Sequence, residues 1–171
     1  MSTPTLGFML RHPAHVVALG FGSGLAPRAP GTAGTLAAWG AFWLLERQFG
    51  PLPWAALLPA GLLLGVWACT RCAQHMNITD PGAIVWDEVL AFWAVLWLIA
   101  PAGGLAQLLA FVLFRFFDAA KPGPVGWADR LFKPAPGAAI GWQQGFGILF
   151  DDLVAAACTL LLMLPTRALW S

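Results

Sequence analysis

Three observations predict an all-α integral membrane bundle of about three to five transmembrane helices. Of 171 residues, 59% are hydrophobic and only 10% are charged, whereas soluble domains carry about 25% charged residues. Apolar runs of helical length alternate with breaks rich in Gly and Pro. Ten Trp and no Tyr leave aromatic anchoring at the bilayer interfaces to tryptophan. One domain, residues 1–171, is the expectation at this length. The net charge of +1 gives no support for a nucleic-acid partner, and nothing in the chain identifies a protein partner. Cys69-Thr70-Arg71-Cys72 is a lone C-x-x-C with no second pair to complete a zinc site. The N-terminus lacks a basic stretch followed by a continuous apolar core, so no cleaved signal peptide is expected.

In chain order, Met1 to Val17 is short and mixed, fit for an interfacial segment. Gly20 to Thr35 is dense in Gly and Pro and reads as a loop, with Thr32 or Thr35 as N-cap of an apolar helix from Leu36. Gly50-Pro51-Leu52-Pro53 breaks the chain, and Trp54 to Thr70 is a second apolar helix. A polar loop follows from Arg71 to Thr79. Asp80-Pro81 supplies a cap with Pro at the first helical position, placing Asp87 and Glu88 in the second turn of a helix running to about Ala100. Pro101-Ala102-Gly103-Gly104 reverses the chain into a helix from Leu105 to Phe117. A Pro- and Gly-rich loop from Ala119 to Ala138 precedes the last helix, from about Gly141 to Leu164.

Charge tests the topology. With crossings at 36–49, 54–70, 81–100, 104–118 and 143–164 and the N-terminus inside, Arg11, Arg28, Arg71, Arg115, Lys121, Arg130 and Lys133 fall on the inner side. Only Arg47 and Arg167 fall outside, as the positive-inside rule requires. The same layout puts Asp80, Asp87, Glu88, Asp118, Asp129, Asp151 and Asp152 toward the inner side and only Glu46 outside. At a rise of about 1.5 Å per residue, Asp87 and Asp151 each lie roughly 9 Å down from Pro81 and Gly145. Asp118 falls near the same level from the other side.

A carboxylate deep in a membrane helix costs about 2.5–3.5 kcal/mol, so acids gathered at one level imply something that neutralises them. Asp87, Glu88, Asp118, Asp151 and Asp152 form an all-oxygen donor set, which suits a hard cation such as Mg²⁺ and not zinc. Neighbours on a helix diverge by about 100°, so Asp87 and either Asp151 or Asp152 are favoured as ligands, the choice staying open. The glycine-rich loop offers backbone N–H groups, Ser23 and Thr32 to an anion. Arg28 can fork a phosphate, and Lys121 adds a second cation. Each has a plainer reading: a cytoplasmic anchor for Arg28 or Lys121, an ion pair with Arg115 or Lys121 for Asp118, a dipole-complementing first turn for Asp87 and Glu88. Metal, anion cradle and headgroup depth together suggest chemistry on a lipid phosphate.

Four blocks sharpen this. Gly22-Ser23-Gly24-Leu25-Ala26-Pro27 with Pro30-Gly31-Thr32, Val85-Trp86-Asp87-Glu88, Arg115-Phe116-Phe117-Asp118-Ala119-Ala120-Lys121-Pro122-Gly123-Pro124, and Gly145-Phe146-Gly147-Ile148-Leu149-Phe150-Asp151-Asp152 resemble the phosphatidylglycerophosphatase A family, in its order and at its separations. The resemblance implies a Mg²⁺-dependent phosphatase of the bacterial inner membrane, converting phosphatidylglycerophosphate to phosphatidylglycerol at the cytoplasmic side. It implies catalytic roles among Asp87, Asp118, Asp151 and Asp152, metal binding by these and Glu88, and phosphate binding by Ser23, Arg28, Gly31, Thr32 and Lys121. No cysteine begins a C-x5-R sequence and no D-x-D occurs, so cysteine and haloacid-dehalogenase-type nucleophiles are not expected. Attack by water, with Mg²⁺ and Arg28 or Lys121 offsetting charge, leads; an aspartyl-phosphate route stays open. The rival class is a small ion or proton transporter using intramembrane carboxylates, which predicts acids spread through the bilayer depth.

Overall fold

The computed structural model describes residues 4–49, 53–133 and 138–169. The expected break at Gly50-Pro51-Leu52 and the side chain of Arg167 lie outside the described residues. Every regular element is helical: α1 (Leu6–Met9), α2 (Pro13–Ala18), a 3-10 segment (Gly20–Leu25), α3 (Pro30–Phe49), α4 (Trp54–Met76), α5 (Trp86–Ile99), α6 (Gly104–Ala120), α7 (Pro124–Leu131), α8 (Trp142–Met163) and a closing 3-10 turn (Leu164–Leu169). No strand occurs among the described residues.

α5 is the centre of the bundle. Nine of its fourteen residues are buried, from Trp86 through Ile99, because α3, α4, α6 and α8 all pack against it. An apolar helix covered on all sides is what its sequence demands. α8 is the second hub, touching α4, α5, α6 and α7.

Among the described residues, two helices are long and apolar enough to cross a membrane, Trp54–Met76 and Trp142–Thr166. The other apolar helices miss that standard for two reasons: α3, at 20 residues, carries Glu46, Arg47 and a first turn of Pro, Gly and Thr, and α5 and α6 are short. α5 has 14 residues and α6 has 17, or about 21 and 26 Å at 1.5 Å per residue, against a core about 30 Å thick. The outer surface is nonetheless rich in exposed apolar side chains: Leu36, Trp43 and Leu44 on α3, Leu57 and Leu63 on α4, Leu105, Leu109 and Val112 on α6, Leu161 and Leu162 on α8. A soluble monomer rarely exposes so much. The chain is an all-helical bundle of membrane type.

Several boundaries differ from the expectations. α3 begins at Pro30, so Gly31, Thr32, Gly34 and Thr35 are helical and neither threonine is a cap. Proline is at home in a first turn, and the Thr35 hydroxyl donates to the Gly31 carbonyl at 2.8 Å, a bond made within the helix. α4 continues through the supposed polar loop to Met76 and stops at Asn77, whose φ of 53° is left-handed. α5 starts at Trp86, not Pro81. The Val85 N–H donates to the Ala18 carbonyl, and Ile84 N–H to Pro81 O, both at 2.9 Å; the first tie to α2 and the turn keep residues 81–85 out of the helix. The loop from Ala119 contains α7, which buries Val125, Gly126 and Ala128 against α8. Its apolar face is too short to stand out among the surrounding Pro and Gly. The N-terminal segment folds as α1 and α2, with α2 packed on α4.

Candidate active site

The late start of α5 puts Asp87 and Glu88 in its first turn, where the helix dipole favours negative charge. The depth of roughly 9 Å reckoned for Asp87 from Pro81 does not hold, since residues 81–85 are not helical. α8 nonetheless carries Asp152 to the same place. One carboxylate oxygen from each of Asp87, Glu88 and Asp152 lies within 4.8 Å of the other two. Glu88 is 8% exposed and Asp152 2%.

Asp87 Oδ1, Glu88 Oε2 and Asp152 Oδ2 are buried and have no hydrogen-bond partner. Buried polar atoms are almost always paired, and an unpaired anionic oxygen is costlier than a neutral one. Three carboxylates that converge in one small space, each with an unpaired buried oxygen, are the donor set a hard divalent cation takes, with no nitrogen or sulfur among them. The residues present therefore fit a bound Mg²⁺.

Arg115 of α6 supplies positive charge beside this cluster, a role that sequence reasoning had not given it. Its guanidinium is ion-paired with Asp118 one turn away, lies 3.6 Å from Glu88 Oε1, and donates to the Thr35 hydroxyl at 3.4 Å. An arginine in an otherwise apolar helix was the available signal. Asp118 lies within electrostatic reach of Glu88 and Asp152, so it joins the same neighbourhood while spending its charge on Arg115.

Gly31 forms the opposite wall. A Cβ there would collide with Glu88 Oε1 and stand 3.0 Å from an Arg115 nitrogen, so only glycine lets the first turn of α3 come this close. The amide N–H groups of Gly31 and Thr32, in that first turn, have no acceptor within the helix. Thr32 is half-buried, next to Gly31. Ser23 is turned inward on its own loop, donating to the Gly20 carbonyl at 2.8 Å. Arg28 is exposed in the loop before α3 and makes no ion pair among the described residues.

Asp151 goes elsewhere. It accepts from Lys121 Nζ at 2.6 Å, and the same ammonium donates to Asp129 of α7 at 2.5 Å. Lys133 donates to the other Asp129 oxygen at 2.6 Å. Burial would lower the Lys121 pKa, but Asp129 and Asp151 outweigh it and raise it above the ordinary lysine value. Burial would likewise raise Asp129, but Lys121 and Lys133 hold its carboxyl below the usual range. The structure thus brings together Asp87, Glu88, Asp152, Asp118 and Gly31, and separates Asp151 and Lys121 into a chain of ion pairs that fastens α7.

The three histidines also meet, although nothing in their spacing marks them. His15 is 2% exposed; its Nδ1 bonds the Phe8 carbonyl at 2.8 Å and its Nε2 bonds His75 Nδ1 at 2.7 Å. The His12 ring lies 5.5 Å from that of His15 and 5.4 Å from that of His75. This cluster ties α2 to the end of α4.

Fold and site together define a helical membrane protein with a buried carboxylate centre flanked by an arginine. The family model described as Phosphatidylglycerophosphatase A matches residues 16–167, and the chain belongs to that family. It is 38% identical over 149 residues to Phosphatidylglycerophosphatase A of Escherichia coli (strain K12), covering 85% of this chain and 78% of that protein. It is 36% identical over 155 residues to Phosphatidylglycerophosphatase A of Haemophilus influenzae (strain ATCC 51907 / DSM 11121 / KW20 / Rd), covering 91% and 89%. No solved structure matches.

Proposed function

We propose that this chain hydrolyses the terminal phosphate monoester of phosphatidylglycerophosphate, giving phosphatidylglycerol, at the cytoplasmic face of a bacterial inner membrane. The observation that carries the reading is the set of unpartnered buried oxygens on Asp87, Glu88 and Asp152 in a chain of this family. These three carboxylates would hold Mg²⁺, with Asp118 near them. When bound, the cation supplies Lewis acidity and charge neutralisation toward phosphoryl oxygens.

The protein's own groups do the rest. Arg115 screens Glu88 and Asp118 from one another and keeps both carboxylates in the cluster. The first-turn amides of Gly31 and Thr32 present donors to a phosphate beside the acids. Arg28, exposed and without an ion pair among the described residues, can meet the headgroup from the water side. Ser23 shapes the loop that carries Arg28. Lys121 acts at a remove, anchoring α7 to Asp151. The exposed apolar belt keeps the chain in the bilayer, so the acyl chains need no enclosed pocket. The excess of Arg and Lys on the inner side of the charge layout supports a cytoplasmic site.

Phosphate release from purified protein with phosphatidylglycerophosphate, with and without Mg²⁺, tests this directly. Release that depends on Mg²⁺ is expected. Equal release in chelator, or none from protein shown to be folded, removes the reading.

A further inference from the structure

Between α4 and α8, on the side where Leu63, Trp67 and Trp142 stand exposed, runs a groove of about 570 Å³, a volume typical of ligand clefts. Its walls are apolar: Leu63 and Trp67 of α4, Trp142 and Phe146 of α8. Arg71 and Gln74 close one end. The floor exists because the two helices meet closely at Gly145, where a Cβ would clash with Thr70 and stand 2.7 Å from the Val66 carbonyl oxygen.

The charged end is unbalanced. Arg71 forms no ion pair with a carboxylate among the described residues. Its Nη1 donates only to Gln74 Oε1 at 3.4 Å, and the Gln74 amide is held in turn by the Ile140 carbonyl at 2.7 Å. The guanidinium is exposed, with most of its five donors unspent. These are the two helices long and apolar enough to span a membrane, so the groove faces lipid. Hydrocarbon suits its walls, and a phosphodiester suits an exposed guanidinium without an ion pair. A headgroup bearing its own cation would meet Arg71 in a groove whose lining includes no carboxylate to receive it. Trp67 and Trp142 belong at the same interfacial level.

We propose that this groove binds one anionic glycerophospholipid, with an acyl chain between α4 and α8 and its phosphate on Arg71. The site needs only the membrane reading and not the catalytic one. It lies outside the acid cluster, which α4 approaches through Cys69, within electrostatic reach of Asp87.

The test uses the full chain in phosphatidylcholine vesicles doped with phosphatidylglycerol or phosphatidylcholine carrying a photoreactive acyl chain, with cross-links mapped by mass spectrometry. The phosphatidylglycerol probe should label residues 63–71 and 142–146 about tenfold over the phosphatidylcholine probe, because both phosphates can meet Arg71 but only the choline cation is repelled by it. Arg71→Gln should bring that preference close to unity at unchanged thermal stability. Leu63→Trp, which fills the apolar end, should cut the labelling with Arg71 still present. Asp152→Asn should keep the preference whether or not the catalytic reading holds. Equal labelling by the two probes means bulk lipid only and overturns the proposal. So does a preference that survives Arg71→Gln.

Discussion

Replacing Asp152 by Asn should make the metal-free protein more stable and the metal-loaded protein less responsive. The Asp152 oxygen lies within 4.8 Å of oxygens from both Asp87 and Glu88. At an effective dielectric of about 20, two like charges at that distance repel by about 3.5 kcal/mol. Asp152 takes part in two such pairs, and Arg115, 3.6 Å from Glu88, offsets roughly one. Asn keeps the shape and removes the charge, so a net gain of about 1–3 kcal/mol is expected in chelator, allowing for screening. In a chain of this length each kcal/mol moves Tm by about 2–4 °C. Thermal unfolding in detergent, followed by circular dichroism with chelator or with saturating Mg²⁺, reads both effects. Wild type should gain Tm on adding Mg²⁺, because a ligand bound only to the folded state stabilises it. Asp152→Asn should start higher and gain little. A variant less stable than wild type in chelator, or one with an equal Mg²⁺ shift, would refute the assignment of these three acids to one cation.

Asp87→Asn should lower phosphate release by about a hundredfold or more, the scale of losing a charge that acts in the transition state, with membrane insertion intact by alkaline extraction. Asp151→Asn should keep the wild-type Mg²⁺ shift in Tm, since its partner is Lys121; it should lose about 1 kcal/mol of stability, a small figure because Lys121 is a third exposed. Gly31→Ala should reduce release at least about tenfold by displacing Glu88 and Arg115, even though Ala is favoured over Gly in a helix by about 1 kcal/mol; a faster or equal rate would show that the close approach is idle. The pKa of His15 is lowered from 6.5, by burial first, then by His75, His12 and Arg11, against an opposing bond from the Phe8 carbonyl. The unfolded chain therefore binds the proton more readily, so stability should fall as pH drops through 6.5 toward the lower folded value and level off below it. His15→Gln should flatten that part of a Tm-against-pH profile.

The helical class and the apolar segments could be read in the sequence because apolar runs of helical length have few other uses. The starts of α3 and α5 could not. Density of Gly and Pro marks a loop only when nothing packs against it, and Gly31 is helical because Glu88 and Arg115 fill the space beside it. Likewise Asp80-Pro81 has the pattern of a helix start, yet the Val85–Ala18 bond, made across the fold, postpones the helix by five residues. The acids themselves stood out, since each is an electrostatic cost inside an apolar helix. Of their partners, Arg115 could be read beside Asp118 at i, i+3, but Asp129 could not be read beside Lys121: α7 hides in a Pro- and Gly-rich stretch, and without it Lys121 reads as a free cation available to phosphate.

The adjacent pair on α8 shows why spacing alone left a choice open. Asp151 and Asp152 diverge by about 100°, so they must face different neighbours, and those neighbours decide their work. α8 packs on α5 along one face and on α7 along another. The first contact sets Asp152 beside Asp87 and Glu88, each of the three with an unpaired oxygen; the second gives Asp151 a lysine that is also paired with Asp129. One aspartate is thus left electrostatically unsatisfied and its neighbour is neutralised. If both were paired, no charge would remain to draw a cation. If neither were, a second unpaired anion would stand beside the first, and the Asp151–Lys121–Asp129 chain that fastens α7 to α8 would be missing. Fixing Asp151 also fixes the turn of α8 that presents Asp152, so the ion-pair chain outside the acid cluster helps to hold the geometry within it.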